Sequence, residues 1–328
     1  MPCKMATSKI VCKVVAGSSQ GGRPRQEDRF FARSNIPVGT ESVSFFGVWD
    51  GTVDAFAADF VHSRCCAHHL NAPSFRLVEQ LLASGGSNQE LGKALRSVLA
   101  EAYKSTDAEL LTQCHVLKNH YSSTTSVTVL VAGGVMAVGN LGDSPLFVIS
   151  RAPGGGVSAS QVTMDHKPDQ PAERARIEGS GGSVQYLHRH NNKPFIRGGD
   201  FDRRKASGES AMQLQYSRAF GGKDLKPFGL SAEPSIVVIP LDSVEGMILC
   251  SDGISDVASP SDAASIVTSA WASGADAAAA LVSWGVSRRA AVGMDADNCT
   301  AMVVSFGSSQ HRVVSLLQSA DFPNNCTQ

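Results

Sequence analysis

The order in which hydrophobic periodicities appear limits the fold of this chain most. Strand-like, β-branched runs at residues 10–15 and 43–49 come first, and helical spacing then governs 54–70, 74–82 and 90–117. Three short β-branched runs follow at 126–131, 135–138 and 146–150. Joined by Gly133-Gly134 and by residues 139–144, they read as a tight antiparallel meander. A short helix at 172–178 leads into a basic, Gly-rich stretch without periodicity, 187–222. Strands at 236–239 and 247–250, Ala-rich helices at 262–271 and 275–287 and a strand at 300–306 close the order. This is not a regular βαβ alternation, so a doubly wound parallel sheet is disfavoured and antiparallel sheets covered by helices are expected. No repeat or Pro-rich linker divides the chain, which reads as one domain over 9–308 with 187–222 as an excursion and 309–328 as a tail.

Composition removes several function classes. With 42% hydrophobic and 18% charged residues the chain is not of the disordered type, and a net charge of −1 gives no field for nucleic acid or anionic lipid. No uninterrupted apolar run approaches the ~18 residues of a membrane helix. Met1-Pro2-Cys3-Lys4 lacks an apolar leader, and Pro2 stands where myristoylation needs glycine, so a cytoplasmic or nuclear protein is expected. The eight cysteines show no CxxC pair and read as small core hydrophobes. His62, Cys65, Cys66 and His69 share one helical face; that face could hold zinc, but the preferred reading is the buried stripe of an amphipathic helix.

Two strands end alike, Trp49-Asp50-Gly51 and Ser251-Asp252-Gly253, each delivering an aspartate to a glycine turn. Asp143 lies in the turn at 139–144, and Asp297 precedes the last strand. Asp-Gly pairs are ordinary turn formers, but four carboxylates at strand ends with no histidine among them make an oxygen-only donor set. Mg²⁺ or Mn²⁺ suits such a set and zinc does not. Near the start, Arg23-Pro24-Arg25-Gln26-Glu27-Asp28-Arg29 pairs two acids with guanidinium groups able to grip a phosphate.

In chain order, Arg23 to Asp28, Phe45 to Gly51, Ser122-Ser123-Thr124-Thr125, Gly142-Asp143-Ser144 and Asp165-His166-Lys167-Pro168 carry a resemblance. It continues through Glu173 to Ile177 with Gly181-Gly182, Ser217-Arg218-Ala219-Phe220-Gly221, Ser251 to Val257 and Asp297 to Thr300. Together these resemble the metal-dependent protein phosphatases, the type 2C serine/threonine phosphatase family, from about residue 10 to 307. The resemblance implies an α+β, four-layer αββα sandwich and a pair of Mn²⁺ or Mg²⁺ ions. Asp50 would bridge them, with the Gly51 carbonyl, Asp252 and Asp297 as further ligands. Glu27 and Asp28 would orient waters, Arg23 would bind phosphate, and Asp143 and Asp256 would form a looser third metal site. It further implies attack by a metal-activated water without a phosphoenzyme, on phosphorylated proteins, by a chain expected to be a monomer.

Departures from the family pattern bear on activity. Asp-Gly-His-Gly-Gly becomes Asp50-Gly51-Thr52-Val53-Asp54, which removes the histidine expected to protonate the leaving group. Loss of a general acid typically costs 10²–10⁴-fold. The acid of Ser-Arg-Ala-x-Gly-Asp becomes Gly222, and Pro145 replaces an arginine after Gly-Asp-Ser. A slowed or retuned phosphatase is therefore expected, with a catalytically silent binding module as the alternative. The basic residues of 191–208 read either as a reader of acidic substrates or as a solvated loop.

Overall fold

The computed structural model describes residues 10–152, 156–188 and 192–308. Strands β1 (Ile10–Ser19), β2 (Arg29–Val38), β3 (Glu41–Trp49) and the two-residue β4 (Gly51–Thr52) precede helices α1 (Phe56–Leu70), α2 (Phe75–Ser84) and α3 (Asn88–Val116). Next come β5 (Ser123–Thr124), β6 (Ser126–Ala132), β7 (Val135–Leu141), β8 (Leu146–Arg151) and β9 (Val157–Gln161). Helix α4 (Pro171–Gly179) is followed by β10 (Ser183–Leu187), β11 (Lys193–Arg197), α5 (Phe201–Ala206), β12 (Gln213–Leu214) and β13 (Phe220–Gly221). The chain continues through β14 (Ser235–Pro240), β15 (Val244–Cys250), α6 (Asp252–Ser255), α7 (Pro260–Ser273), α8 (Ala277–Ala291) and β16 (Cys299–Ser308).

Period-two alternation decides the layering. Phe45 and Trp49 of β3 pack with α1, α2 and α3, whereas Phe46 and Val48 face the opposite way. There they meet Val148, Met247, Leu249 and Met302 of the second sheet. The outer face of that sheet, with Phe147, Ile248 and Val303, is covered by Ala263, Val267, Ala278 and Leu281 of α7 and α8. Two five-stranded antiparallel sheets, β14-β7-β6-β3-β2 and β1-β16-β15-β8-β9, thus lie between two helical layers. This is the αββα sandwich expected from the sequence. Each large side chain so buried contributes roughly 1.5–3 kcal/mol.

The meander expected over 126–150 is only half present. Strands β6 and β7 form a hairpin, but β8 leaves that sheet and pairs antiparallel with β15 in the other. The residues between, Gly142-Asp143-Ser144-Pro145, carry the chain across the sandwich at the end where the acids collect. Strand β2 escaped the sequence pattern because its alternation breaks at a register shift between Arg33 and Ile36, with Asn35 at φ 56°. The stretch 187–222 is not structureless. Its small sheet, β10-β11-β12, and Tyr216 share a core with Ile177, Val184, Ile196, Leu214 and Leu230.

The His62–His69 face is core, as preferred. His69 donates from Nδ1 to the Cys65 carbonyl at 2.7 Å and packs its ring 4.9 Å from Phe45, and burial pushes its pKa down to about 4. His62 stacks edge-on against Phe31 and Trp49.

Candidate active site

Five chain segments meet at one end of the sandwich, and each meets the others for a local reason. Strand β3 delivers Asp50, whose backbone N–H donates to Thr125 Oγ1 at 3.1 Å and whose carbonyl accepts from Thr124 Oγ1 at 2.9 Å. Ser122 Oγ accepts from the Ala57 N–H at the start of α1, and Ser126 Oγ accepts from Trp49 Nε1. The hydroxyls of 122–126 therefore fix both flanks of Asp50. Strand β15 delivers Asp252 into α6, where the next residue must be glycine: a Cβ on Gly253 would lie 1.8 Å from the Asn298 carbonyl oxygen. Asn298 ties the turn carrying Arg23 to this point. Its Nδ2 donates to the Gln20 and Arg25 carbonyls, and its Oδ1 accepts from the Glu27 N–H at 2.8 Å.

The electrostatics are those of crowded acids. Desolvation, and then the charges of Asp28, Asp252, Asp297 and Asp143, push the Asp50 carboxyl well above the usual range. Asp252 is raised by burial and by Asp143, Asp297 and Asp256. Asp28 is 3% exposed; burial pushes it up to about 6, although Ser251 Oγ donates to its Oδ2 at 2.8 Å. Its other oxygen, Oδ1, is buried with no partner among the described residues. Such an arrangement is costly unless cations compensate. Some are built in: Lys167 pairs with Asp143, and Arg289, itself buried, lies 3.3 Å from Asp297 and 3.7 Å from Asp256. Lys193 approaches Asp256 at 3.3 Å. Arg23 sits at the rim, its side chain 48% exposed and its Nε 3.9 Å from Asp297.

Among the described residues no three acidic, histidine or cysteine side chains close into a ready single-ion cage. Hard ions that keep several waters need only one or two carboxylates each. The donor set around Asp50 fits that kind of site, and the orphaned Asp28 Oδ1 fits an acceptor for its waters. Asp143 and Asp256 already hold ammonium partners in Lys167 and Lys193, and Asp297 shares the Arg289 guanidinium with Asp256.

The residues after Asp50 are held from both sides. Thr52 accepts a hydrogen bond from the Tyr216 hydroxyl at 2.8 Å, and Asp54 accepts from Asn119 Nδ2 and the Phe56 N–H. Between them Val53 adopts φ 80° and is 56% exposed. A β-branched residue in the left-handed region is strained by roughly 1–3 kcal/mol. Val53→Gly is therefore expected to raise the melting temperature by about 2–4 °C after the entropic cost of glycine is subtracted. A thermal melt of the two proteins checks this, and a lower midpoint for the glycine variant would contradict the strain.

Neither His62, packed edge-on against Phe31 and Trp49, nor His166 replaces the histidine missing at position 52. His166 is fully buried, its Nδ1 accepting from the Gly142 N–H and its Nε2 bonded to Ser235 Oγ, and burial lowers its pKa to about 4. Gly222 follows from local packing. It has φ 59°, and a Cβ there would lie 2.5 Å from Leu230 Cδ2. The arginines of α5 are paired locally, Arg204 with Asp224 and Arg203 with Glu209 and Asp200, whereas Lys205 lies over the Phe201 ring.

Arg23, Glu27, Asp28, Asp50, Asp143, Asp252 and Asp297 are thus gathered within mutual electrostatic reach, with Asp256 on their margin. Sequence reasoning gave no role to Lys167, Arg289, Asn298 or Tyr216. Lys167 stood inside a quoted motif, and nothing in the sequence marked Arg289 or Tyr216.

Known proteins resemble this chain throughout. The family profile described as Protein phosphatase 2C matches residues 12–292. Probable protein phosphatase 2C 59 of Oryza sativa subsp. japonica is 34% identical over 290 residues, covering 88% of this chain and 74% of the relative. Probable protein phosphatase 2C 69 of Arabidopsis thaliana is also 34% identical, over 88% of this chain and 68% of its own. Among solved structures, a serine-threonine phosphatase 2C from Toxoplasma gondii superposes with a TM-score of 0.86 at 42% identity, over 90% of this chain and 94% of that one.

Proposed function

This chain belongs to the protein phosphatase 2C family, whose members are metal-dependent serine/threonine phosphatases, and from that premise we propose how its own residues carry the reaction. Asp50, Asp252, Asp297 and the Gly51 carbonyl hold two divalent ions, Mn²⁺ or Mg²⁺. The single observation that carries this is the set of part-buried, mutually repelling carboxylates gathered at one end of the two sheets. When bound, the ions supply Lewis-acid stabilisation and a water acidified enough to attack phosphorus directly. A third ion at Asp143 and Asp256 would compete with Lys167, Lys193 and Arg289, and is the loosest part of the reading.

The remaining work falls to the chain itself. Arg23 grips the phosphoryl oxygens from the rim, which holds the ester in place as charge develops on them. Glu27 and Asp28 accept protons of hydrogen-bonded water, and Ser251 and Asn298 hold those two acids in position. Thr52 is no acid near neutral pH, so the leaving alkoxide takes its proton from water. Substrates with better leaving groups are accordingly favoured.

The substrates are phosphoserine and phosphothreonine proteins, bound by a monomer. No helix among the described residues is long and apolar enough to cross a membrane, and no described cysteine forms a disulfide, which suits a reducing compartment such as cytoplasm or nucleus. The alternative of a silent binding module has no support in relatives named as phosphatases.

Arg23→Ala tests the phosphate assignment. KM for a phosphoserine peptide is expected to rise about tenfold, with a smaller fall in kcat, because the guanidinium contacts phosphate in both ground and transition states. Steady-state kinetics with Mn²⁺ decides it, and an unchanged KM would return Arg23 to the solvated surface.

A further inference from the structure

The hydroxyl chain behind Thr52 has no part in the reaction as described so far. Ser123, fully buried, lies 3.1 Å from the Tyr216 hydroxyl, and that hydroxyl donates to Thr52 Oγ1 at 2.8 Å. A tyrosine has one hydroxyl proton. Because Tyr216 spends it on Thr52, Ser123 must donate to Tyr216. The Thr52 oxygen is thus already an acceptor, and its own proton has no acceptor among the described residues.

Tyr216 is rigidly placed to do this. It is 6% exposed and shares the small core with Leu214, Ile196 and Leu230. The following residue is clamped, Ser217 N–H donating to the His166 carbonyl at 2.8 Å and Arg218 bonding the Glu173 carboxylate. Burial raises the Tyr216 phenol, with Asp50 and Asp143 adding to the effect, so the hydroxyl stays protonated and keeps a proton to donate. The same charges show that the hydroxyl borders the acidic cluster.

We infer that Thr52 is a hydrogen-bond donor to the departing ester oxygen and that Tyr216 is the positioning residue that leaves its proton free for that bond. The inference rests on the phosphatase reading of Asp50 and its neighbours and adds a leaving-group contact to it. As the P–O bond breaks, its electron pair goes to the ester oxygen. The Thr52 O–H stabilises that oxygen, and a proton from water then completes the alcohol, so Thr52 and Tyr216 end the step as they began.

A double-mutant cycle on the full chain with Mn²⁺ tests this, using Tyr216→Phe, Thr52→Val and the pair. With a phosphoserine peptide each single variant is expected to lose about tenfold in kcat with KM unchanged, and the pair no more than either alone. With an aryl phosphate, whose phenolate needs no such help, all three stay within about twofold of the parent. Thr52→Ser, which keeps the donor, retains most of the peptide activity. Wild-type kcat on the peptide for Tyr216→Phe, or equal losses on both substrates, overturns the inference. Melting of the metal-free proteins gives a second reading: both singles lower the midpoint by a few degrees, and the pair by no more than the larger of the two. Additive losses in that cycle deny the shared bond. Absence of any Asp50-dependent turnover in the parent would instead remove the phosphatase reading itself.

Discussion

Asp50→Ala is expected to lose phosphoserine hydrolysis by at least about 10³-fold and yet to melt higher than the parent when metal is absent. Both follow from one carboxylate. With ions present it would be one of the groups that hold them, and the Lewis-acid stabilisation they would supply is worth several kcal/mol in the transition state. Without ions it is a recessed acid pushed up by burial and by four other aspartates. Deleting it removes a desolvation and repulsion cost on the order of 2 kcal/mol, while the backbone remains held by Thr124 and Thr125. Kinetics with Mn²⁺ and melts in a chelator measure the two effects on one preparation. Retained turnover removes Asp50 from the centre of the reaction. A lower metal-free midpoint means that the acids are less strained than their burial implies.

The stabilisation that Mn²⁺ or Mg²⁺ confers should grow as pH rises from about 4 through 6 and continue upward. Asp28 is held at about 6 in the folded protein, against an ordinary value of 3.8, and Asp50, Asp252 and Asp297 are also raised. A raised acid holds its proton more tightly folded than unfolded, so its contribution to stability is lost as pH climbs through the folded value. For Asp28 that amounts to about 3 kcal/mol. His69 and His166, both lowered to about 4 from 6.5, act with the opposite sign, since their contribution is lost as pH falls below 6.5. In metal-free protein the two trends oppose each other. The difference between metal-loaded and chelated melts cancels the histidines and isolates the acids, whose protons the ions must displace. At a hundredfold excess over the dissociation constant the ions add about 2.7 kcal/mol. A difference that is flat with pH, or largest in acid, would exclude these carboxylates as the ligands.

The sequence was legible where one residue's neighbours determine its role. The alternation in β3 and the apolar run of β15 marked strands, and the aspartates that end them marked a site, because a buried strand ending in charge needs an explanation. It was opaque where a role depends on a distant partner. Tyr216 meets Thr52 across 164 positions, and Asn298 meets Gln20 across 278. Strand β8 read as the third strand of a meander because its length and composition suited one. Only its antiparallel pairing with β15 shows that it belongs to the other layer. Arg289 had no signal, and Lys167 none beyond its place in a quoted motif, since a charge is interpretable only once the acid it faces is known.

The pairing of the first strand with the last governs how this protein is made. Among the described strands β1 hydrogen-bonds only with β16, over ten residue pairs, and Asn298 just before β16 fastens the turn that carries Arg23 and Glu27. During translation at roughly 5–20 residues per second, β1 leaves the ribosome tens of seconds before its partner is synthesised. Through that interval its strand edge is open to any other chain, and Arg23 and Glu27 have nothing to hold them against Asp297. The proposed site is therefore complete only once β16 has been made. A nascent chain stalled before residue 299 should bind holdase chaperones and stay cleavable at its first strand, and extension of the chain past β16 should end both together.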